Sequence, residues 1–231
     1  MHCIETNPAS LSTSLRELFP PGALTAELRG GGDPAALYPD EARYLKKSVR
    51  KRAEEFAAGR LCARLLLGEF GIDNFPIEVG THRQPVWPES LVGSITHTTG
   101  FCAAVAAPKQ TLRSVGLDTE IAGSVKLELW PSICTPAETA WLRSLPKSEQ
   151  LAAATLIFSA KEAFYKCQFP LTQEYLGFQE VTVETPAWGE KRGAFKIVAN
   201  RDIDLEKSTA LPLRGQYLFH EQFITSAIAL T

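Results

Sequence analysis

An α+β fold is what this sequence predicts, and three observations predict it. Two stretches, 42–70 and 147–168, carry apolar residues at helical spacing, and between and after them run short apolar segments of strand length bounded by Gly, Pro and Asn-type turn residues. The second helical stretch echoes the first at an offset of 102 residues: Phe56 matches Phe158, Ala58 matches Ala160 and Arg64 matches Lys166, with Arg60 opposite Glu162. Each half also closes on an apolar strand-like run, Phe101–Ala107 and Phe223–Leu230.

Taken in chain order, residues 20–40 hold Pro20-Pro21-Gly22, Gly30-Gly31-Gly32-Asp33-Pro34 and Tyr38-Pro39, which predict an irregular segment. Asp40 can cap the first helix, whose expected buried stripe is Phe56, Leu61, Leu65 and Leu66 and whose stop is marked by Gly68 and Gly71. Strands are expected at 91–97, 101–107 and 113–118. Thr135-Pro-Ala-Glu138 reads as a helix start, with Thr as N-cap, Pro at the first helical position and Glu three residues on as capping-box partner. The long helix 147–168 should end before Pro170, and antiparallel strands are expected at 178–185, 193–199, 213–220 and 223–230.

The composition excludes several classes. In 231 residues, 45% are apolar and 22% charged, ordinary for a globular protein able to bury a sizeable core. A net charge of −2 gives no global case for nucleic acid or an anionic membrane. Five cysteines, odd in number and without C-x-x-C spacing, argue against a disulfide framework or a zinc site, and Cys62, Cys102 and Cys167 are expected in the core. The N-terminus lacks a basic and apolar leader pattern, and no apolar run approaches the ~18 residues of a membrane helix. A cytoplasmic protein without a membrane span is the expectation.

Chemistry concentrates in two places. Asp118 and Glu120 are two apart on a strand, so their side chains leave the same face. Glu162 and Lys166 are four apart on a helix and share a face as well. Three convergent carboxylates suit a hard divalent cation such as Mg2+, and the lysines suit phosphate oxygens. The same patterns also fit a solvated strand rim and a surface ion pair. Lys161, one residue from Glu162, points about 100° away from it.

Val115-Gly-Leu-Asp-Thr-Glu120 followed by Phe158-Ser-Ala-Lys-Glu-Ala-Phe-Tyr-Lys166 resembles the 4'-phosphopantetheinyl transferases of the surfactin and enterobactin type. Glu55-Phe-Ala-Ala-Gly-Arg-Leu-Cys-Ala-Arg64, Arg83-Gln-Pro-Val-Trp-Pro88 and Gly93-Ser-Ile-Thr-His-Thr98 match further stretches of that family in its order, so the likeness covers about residues 40 to 231. It implies a pseudo-twofold pair of similar α+β halves with the active site in the cleft between them. Residues 1–112 would supply nucleotide contacts and 113–231 the metal and catalytic residues. The implied reaction moves the phosphopantetheine arm of coenzyme A onto a serine hydroxyl of an apo acyl or peptidyl carrier protein, releasing adenosine 3',5'-bisphosphate.

By the resemblance, Asp118 and Glu120 hold Mg2+ at the diphosphate, Glu162 supports the metal and deprotonates the serine, and Glu138 is the alternative base. The Thr119 side chain points away and only its carbonyl reaches the metal; this threonine departs from the apolar or small residue usual in the family. Lys161 and Lys166 would contact phosphates. Within the basic run Lys46, Lys47, Arg50, Lys51, Arg52, Arg60 and Arg64, a solvated face in the main, Arg52 and Arg60 would meet the nucleotide and its 3'-phosphate. His82, Arg83, Gln84 and Pro85 form a coenzyme loop, and Thr96 and His97 a phosphate contact. Trp87 and Trp141 are expected as core aromatics. A non-catalytic coenzyme A or nucleotide-binding module is the alternative, nucleic-acid binding is disfavoured, and the working unit is expected to be a monomer.

Overall fold

The computed structural model describes residues 8–46, 48–185, 188–201, 203 and 213–231. The chain divides into two compact units, Met1–Arg113 and Ser114–Thr231.

The first unit is an antiparallel sheet with one long helix against it. Its strands are β1 (Ser10–Leu11), β2 (Leu24–Arg29), β3 (Leu91–Thr98) and β4 (Phe101–Pro108), in the order β1-β2-β4-β3. Two single-turn helices, α1 (Thr13–Arg16) and α2 (Pro39–Ala42), precede the long α3 (Arg50–Glu69). Strand β2 falls inside the segment expected to be irregular. Its six residues pair with β4 from Leu24↔Ala106 to Arg29↔Phe101, and that pairing, which no local signal announces, makes it a strand. α3 starts later than 42 because residues 43–45 form a separate 3-10 turn. It stops as expected: Gly71 adopts φ 72°, its N–H bonds Gly68 O at 2.9 Å, and Ile72 N bonds Leu67 O at 2.9 Å, the double closure a left-handed glycine permits.

The buried stripe of α3 shares only Leu66 with the one expected. Ala58, Cys62 and Leu66 face Ala26, Leu28, Cys102, Ala104 and Ala106, while Leu61 and Leu65 sit only partly buried at the margins. Small residues let the helix approach the sheet closely, and at Gly59 an added Cβ would stand 2.9 Å from Ile95 Cγ2.

The second unit repeats the plan with a larger sheet: β5 (Ser114–Ile121), β6 (Val181–Glu184), β7 (Arg192–Ala199), β8 (Leu213–His220) and β9 (Phe223–Leu230), in the order β5-β9-β8-β7-β6 and antiparallel throughout. The helices are α4 (Trp130–Ile133), α5 (Pro136–Ser144) and α6 (Lys147–Thr172). Residues 178–180, expected to begin a strand, form a 3-10 turn instead. α6 runs two residues past Pro170 to Gln173 in the left-handed region at φ 56°. One missing N–H near a helix end is tolerated, and Thr172 Oγ1 donating to Gln168 Oε1 at 2.5 Å and Gln173 Nε2 to Phe169 O at 3.1 Å tie the last turn together. Ala153, Leu156, Ile157, Ala160, Phe164 and Cys167 of α6 pack with Phe195, Tyr217, Ile224 and Ile228 of the sheet.

The two units share a topology. In each, a strand leads to the long helix, and a later hairpin returns so that its second strand pairs with the first: β2-α3-β3-β4 in order β2-β4-β3, and β5-α6-β8-β9 in order β5-β9-β8. The offset echo of Phe56 and Phe158 therefore lies on equivalent helices. Among the described residues no helix is long and apolar enough to cross a membrane.

Candidate active site

Strand β5 and helix α6 meet at a glycine. A Cβ at Gly116 would collide with the carbonyl oxygen of Ala163, so only glycine lets α6 lie this close to the strand. Strand alternation puts Asp118 and Glu120 on the same face as Gly116, towards the helix, and Ala163 is flanked there by Glu162 and Lys166. The Lys166 ammonium donates to Asp118 Oδ1 at 2.7 Å and to Leu117 O at 3.3 Å. Ser159 Oγ donates to Asp118 O at 3.2 Å, pinning the strand to the helix.

The electrostatics are those of crowded acids around one cation. Burial pushes the Glu120 carboxyl up to about 7, with Asp118 and Glu162 adding to the rise and Lys166 opposing it. Burial also raises the Glu162 carboxyl, Lys166 lowering it and Asp118 raising it. For Lys166, burial works against the charge, but Asp118, Glu162 and Glu120 outweigh it and hold the ammonium above its ordinary value. Among the described residues no three His, Cys, Asp or Glu side chains are close-set enough to hold a metal as they stand. Of the expected trio, Asp118 meets the Lys166 ammonium directly, while Glu120 and Glu162 interact with it through charge.

Thr119 faces the opposite side of the sheet. Its side chain is fully buried and shares a 2.8 Å hydrogen bond with Thr225, which meets His220 Nε2 at 2.8 Å. Ser226 stands opposite Asp118 in the register, and its buried Oγ finds no hydrogen-bond partner among the described residues. Nothing in the local sequence singles out Ser226; only strand pairing brings it there.

Two expected site residues are committed elsewhere. Lys161, expected at a phosphate, is 2% exposed and donates to Glu138 Oε2 at 2.7 Å, Ile133 O at 2.8 Å and Phe178 O at 2.7 Å. An ammonium has three N–H donors, and all three are spent. Glu138, the alternative base, is equally occupied: Oε2 also accepts from Thr135 N at 2.7 Å and Oε1 from Val183 N at 2.6 Å. The capping box is present, with Glu138 N to Thr135 Oγ1 at 3.3 Å. Both side chains are buried and their polar atoms are spent within the second unit. The pair is a structural clamp joining α6 to residues 133–138 and 178–183. Beside it, Tyr165, Tyr175, Leu176 and Phe178 line an apolar hollow next to Glu162.

In the first unit, Arg60 is 7% exposed. Its Nε donates to Ile77 O at 3.0 Å, the guanidinium lies 4.0 Å over the Phe56 ring, and burial lowers its pKa to about 10. Arg52 is exposed, and Arg50–Glu54 and Lys51–Glu55 are exposed helical ion pairs, the solvated face expected of the run; Lys47 lies outside the described residues. Arg64 turns inward to Ala36 O and Glu41 at 2.9 Å each, over Tyr38.

Residues 79–85 close a tight turn: Gly80 N bonds Gln84 O, Arg83 N bonds Gly80 O, and Gln84 Oε1 accepts from His82 N. Arg83 sits at φ 68°, and the bridge Val79↔Pro85 ends the turn. These amides are spent within the turn, so the His82 and Arg83 side chains, both exposed, are what it offers outward. On β3, Thr96 is buried and His97 exposed, 3.9 Å from Glu55. Trp87 is partly buried, packed against the core beside Gly93, and Trp141 meets Trp188 edge-on at 5.8 Å.

Known proteins that share this pattern define the class. Residues 40–107 match the family model of the 4'-phosphopantetheinyl transferase N-terminal domain, and 114–220 that of the 4'-phosphopantetheinyl transferase superfamily. The chain is 33% identical to 4'-phosphopantetheinyl transferase Npt of Nocardia iowensis, over 93% of this chain and 99% of that protein. It is 35% identical to PptT of Mycobacterium tuberculosis over 86% and 88%, and 40% identical to enterobactin synthase component D of Escherichia coli K12 over 53% and 57%. The chain belongs to the 4'-phosphopantetheinyl transferase superfamily. It is accordingly an enzyme that transfers the phosphopantetheine group of coenzyme A to a carrier protein, and the reading as a non-catalytic binding module gives way.

Proposed function

We propose that the β5–α6 junction is the catalytic centre of this transfer, with Asp118, Glu120 and Glu162 as the ligands of one Mg2+. The observation that carries the reading is the Asp118–Lys166 contact at 2.7 Å beside two further carboxyls, Glu120 and Glu162, which burial and their acidic neighbours raise and Lys166 lowers. Hard carboxylate donors fit a hard cation. Bound there, Mg2+ would neutralise the diphosphate oxygens of coenzyme A. Lys166 turns from Asp118 to a phosphate oxygen, and Glu162 accepts the proton of the carrier serine. A bound Mg2+ would hold the Glu162 carboxyl ionised and ready to accept, while acidifying the serine hydroxyl beside it. Thr119 contributes at most its carbonyl.

The nucleotide falls to residues 1–112. Arg60 suits the 3'-phosphate, since a desolvated guanidinium with one nitrogen engaged by protein gains most from an anion. Arg52, His97 beside Thr96, and the His82–Arg83–Gln84–Pro85 turn supply further contacts. The hollow of Tyr165, Tyr175, Leu176 and Phe178 suits the apolar part of the pantetheine chain. One chain carries both family domains, so the monomer is the working unit.

Incubation with coenzyme A, Mg2+ and an apo carrier protein should add one phosphopantetheine to the carrier's mass. Asp118→Ala should abolish that gain with an unchanged circular dichroism spectrum; a fully active variant refutes the metal assignment.

A further inference from the structure

Glu41 is 1% exposed, and the sequence offers no reason to look at it. Burying a carboxylate is costly unless its oxygens are satisfied, so its partners indicate what it is for. Oε1 accepts from Ile77 N at 3.0 Å; Oε2 accepts from Tyr38 N at 3.0 Å and from Arg64 Nη2 at 2.9 Å. The Ile77 backbone is thereby held at its N–H. In the next peptide group, the Ile77 carbonyl accepts from Arg60 Nε at 3.0 Å, one residue's φ and ψ away from the N–H that Glu41 holds. Three segments distant in sequence, at 38–41, 60–64 and 77, converge on one carboxylate.

The consequence is directional. With Nε tied to Ile77 O and the guanidinium plane laid on Phe56, two degrees of freedom of the Arg60 fork are removed. Among the described residues, the Nε bond is the hydrogen bond its guanidinium makes, which leaves the Nη edge for an anion. A preoriented fork loses less freedom on binding than a mobile one, and the difference appears as affinity for the anion.

We propose that Glu41 is a positioning residue for the anion site at Arg60, acting through the Ile77 backbone, so that it sets how strongly the protein prefers coenzyme A over the same molecule lacking its 3'-phosphate. The inference rests on the assignment of Arg60 to that phosphate.

The test is calorimetric titration of the full chain with coenzyme A and with 3'-dephospho-coenzyme A, which needs no carrier protein. Wild type should bind coenzyme A more tightly. Arg60→Met should collapse the ratio of the two dissociation constants towards one, and Glu41→Gln should lower it about tenfold through coenzyme A alone, leaving dephospho-coenzyme A within twofold. Glu41→Asp keeps the charge but withdraws it by one methylene, and should lose the preference too, which keeps the proposal testable if the glutamine variant does not fold. A collapse with Arg60→Met but a full ratio in folded Glu41 variants overturns the positioning role. Equal weakening of both ligands in the Glu41 variants does the same, because general loosening is blind to one phosphate. A ratio untouched by Arg60→Met refutes instead the assignment of Arg60, and the proposal with it.

Discussion

The ammonium of Lys166 lies 2.7 Å from Oδ1 of Asp118, one member of a helix bound to one member of a strand 48 residues earlier. The Asp118 side chain is 5% exposed and that of Lys166 28%, so the pair is shielded but reachable from solvent. This lysine stands where its charge serves Asp118 as the proposed metal's would.

Competition follows. Lys166→Met should bind a divalent cation more tightly than wild type when coenzyme A is absent, by about tenfold, or ~1.4 kcal/mol, while its transfer rate falls. Mn2+ titration followed by paramagnetic resonance measures the first and carrier mass the second. Equal or weaker Mn2+ binding by the variant contradicts the relationship.

Stability should depend on pH through Glu120. Its carboxyl is held near 7 in the folded chain and titrates near 4.5 when unfolded, so between these values the folded state binds the extra proton. Stability then decreases as pH rises from about 4.5 through about 7 and levels off above. Urea midpoints at pH 5 and pH 7.5 without divalent ions read this out. Glu120→Gln should show a smaller decrease than wild type; an identical pair of pH responses counts against Glu120 as the source of the decrease.

Lys161→Met should cost about 3–5 kcal/mol, the usual penalty for leaving a buried charge without its partner. Both side chains of the Lys161–Glu138 pair are 1% exposed, and Glu138 would be the charge left behind. A variant that also carries Glu138→Gln should recover part of the loss, because the amide keeps an acceptor for Thr135 N or Val183 N without the charge. Equilibrium urea unfolding measures both. A stable Lys161→Met chain with lost activity would return this lysine to the phosphates.

Local periodicities account for what could be read in advance. The Thr135–Glu138 box, the glycine stop at Gly71 and the common face of Asp118 and Glu120 all depend on neighbours within four residues, where backbone geometry dictates the outcome. β2 was hidden because its flanking Pro and Gly residues are genuine turn formers, and only six partners on β4 make the residues between them a strand. The stripe of α3 was only partly legible: Leu66 is buried as expected, but bulk also suggested Phe56, Leu61 and Leu65, whereas the close sheet selects Ala58 and Cys62. Lys161 shows the same limit at the site. Its helical angle separates it from Glu162, but the carbonyls of Ile133 and Phe178 that consume its donors come from remote turns.

By itself, then, the order of residues determined the α+β class, the doubled plan, the family and the acidic strand facing a lysine-bearing helix. Those features are written in spacings of two, three and four residues. Tertiary structure alone decided which charges remain available. Lys161 and Glu138 were withdrawn into a saturated clamp, Lys166 was laid against Asp118, and Glu41 was placed behind Arg60. Whether a polar group is free or spent is a matter of which distant donors and acceptors desolvation forces upon it, and contacts between distant segments are settled only when the chain packs.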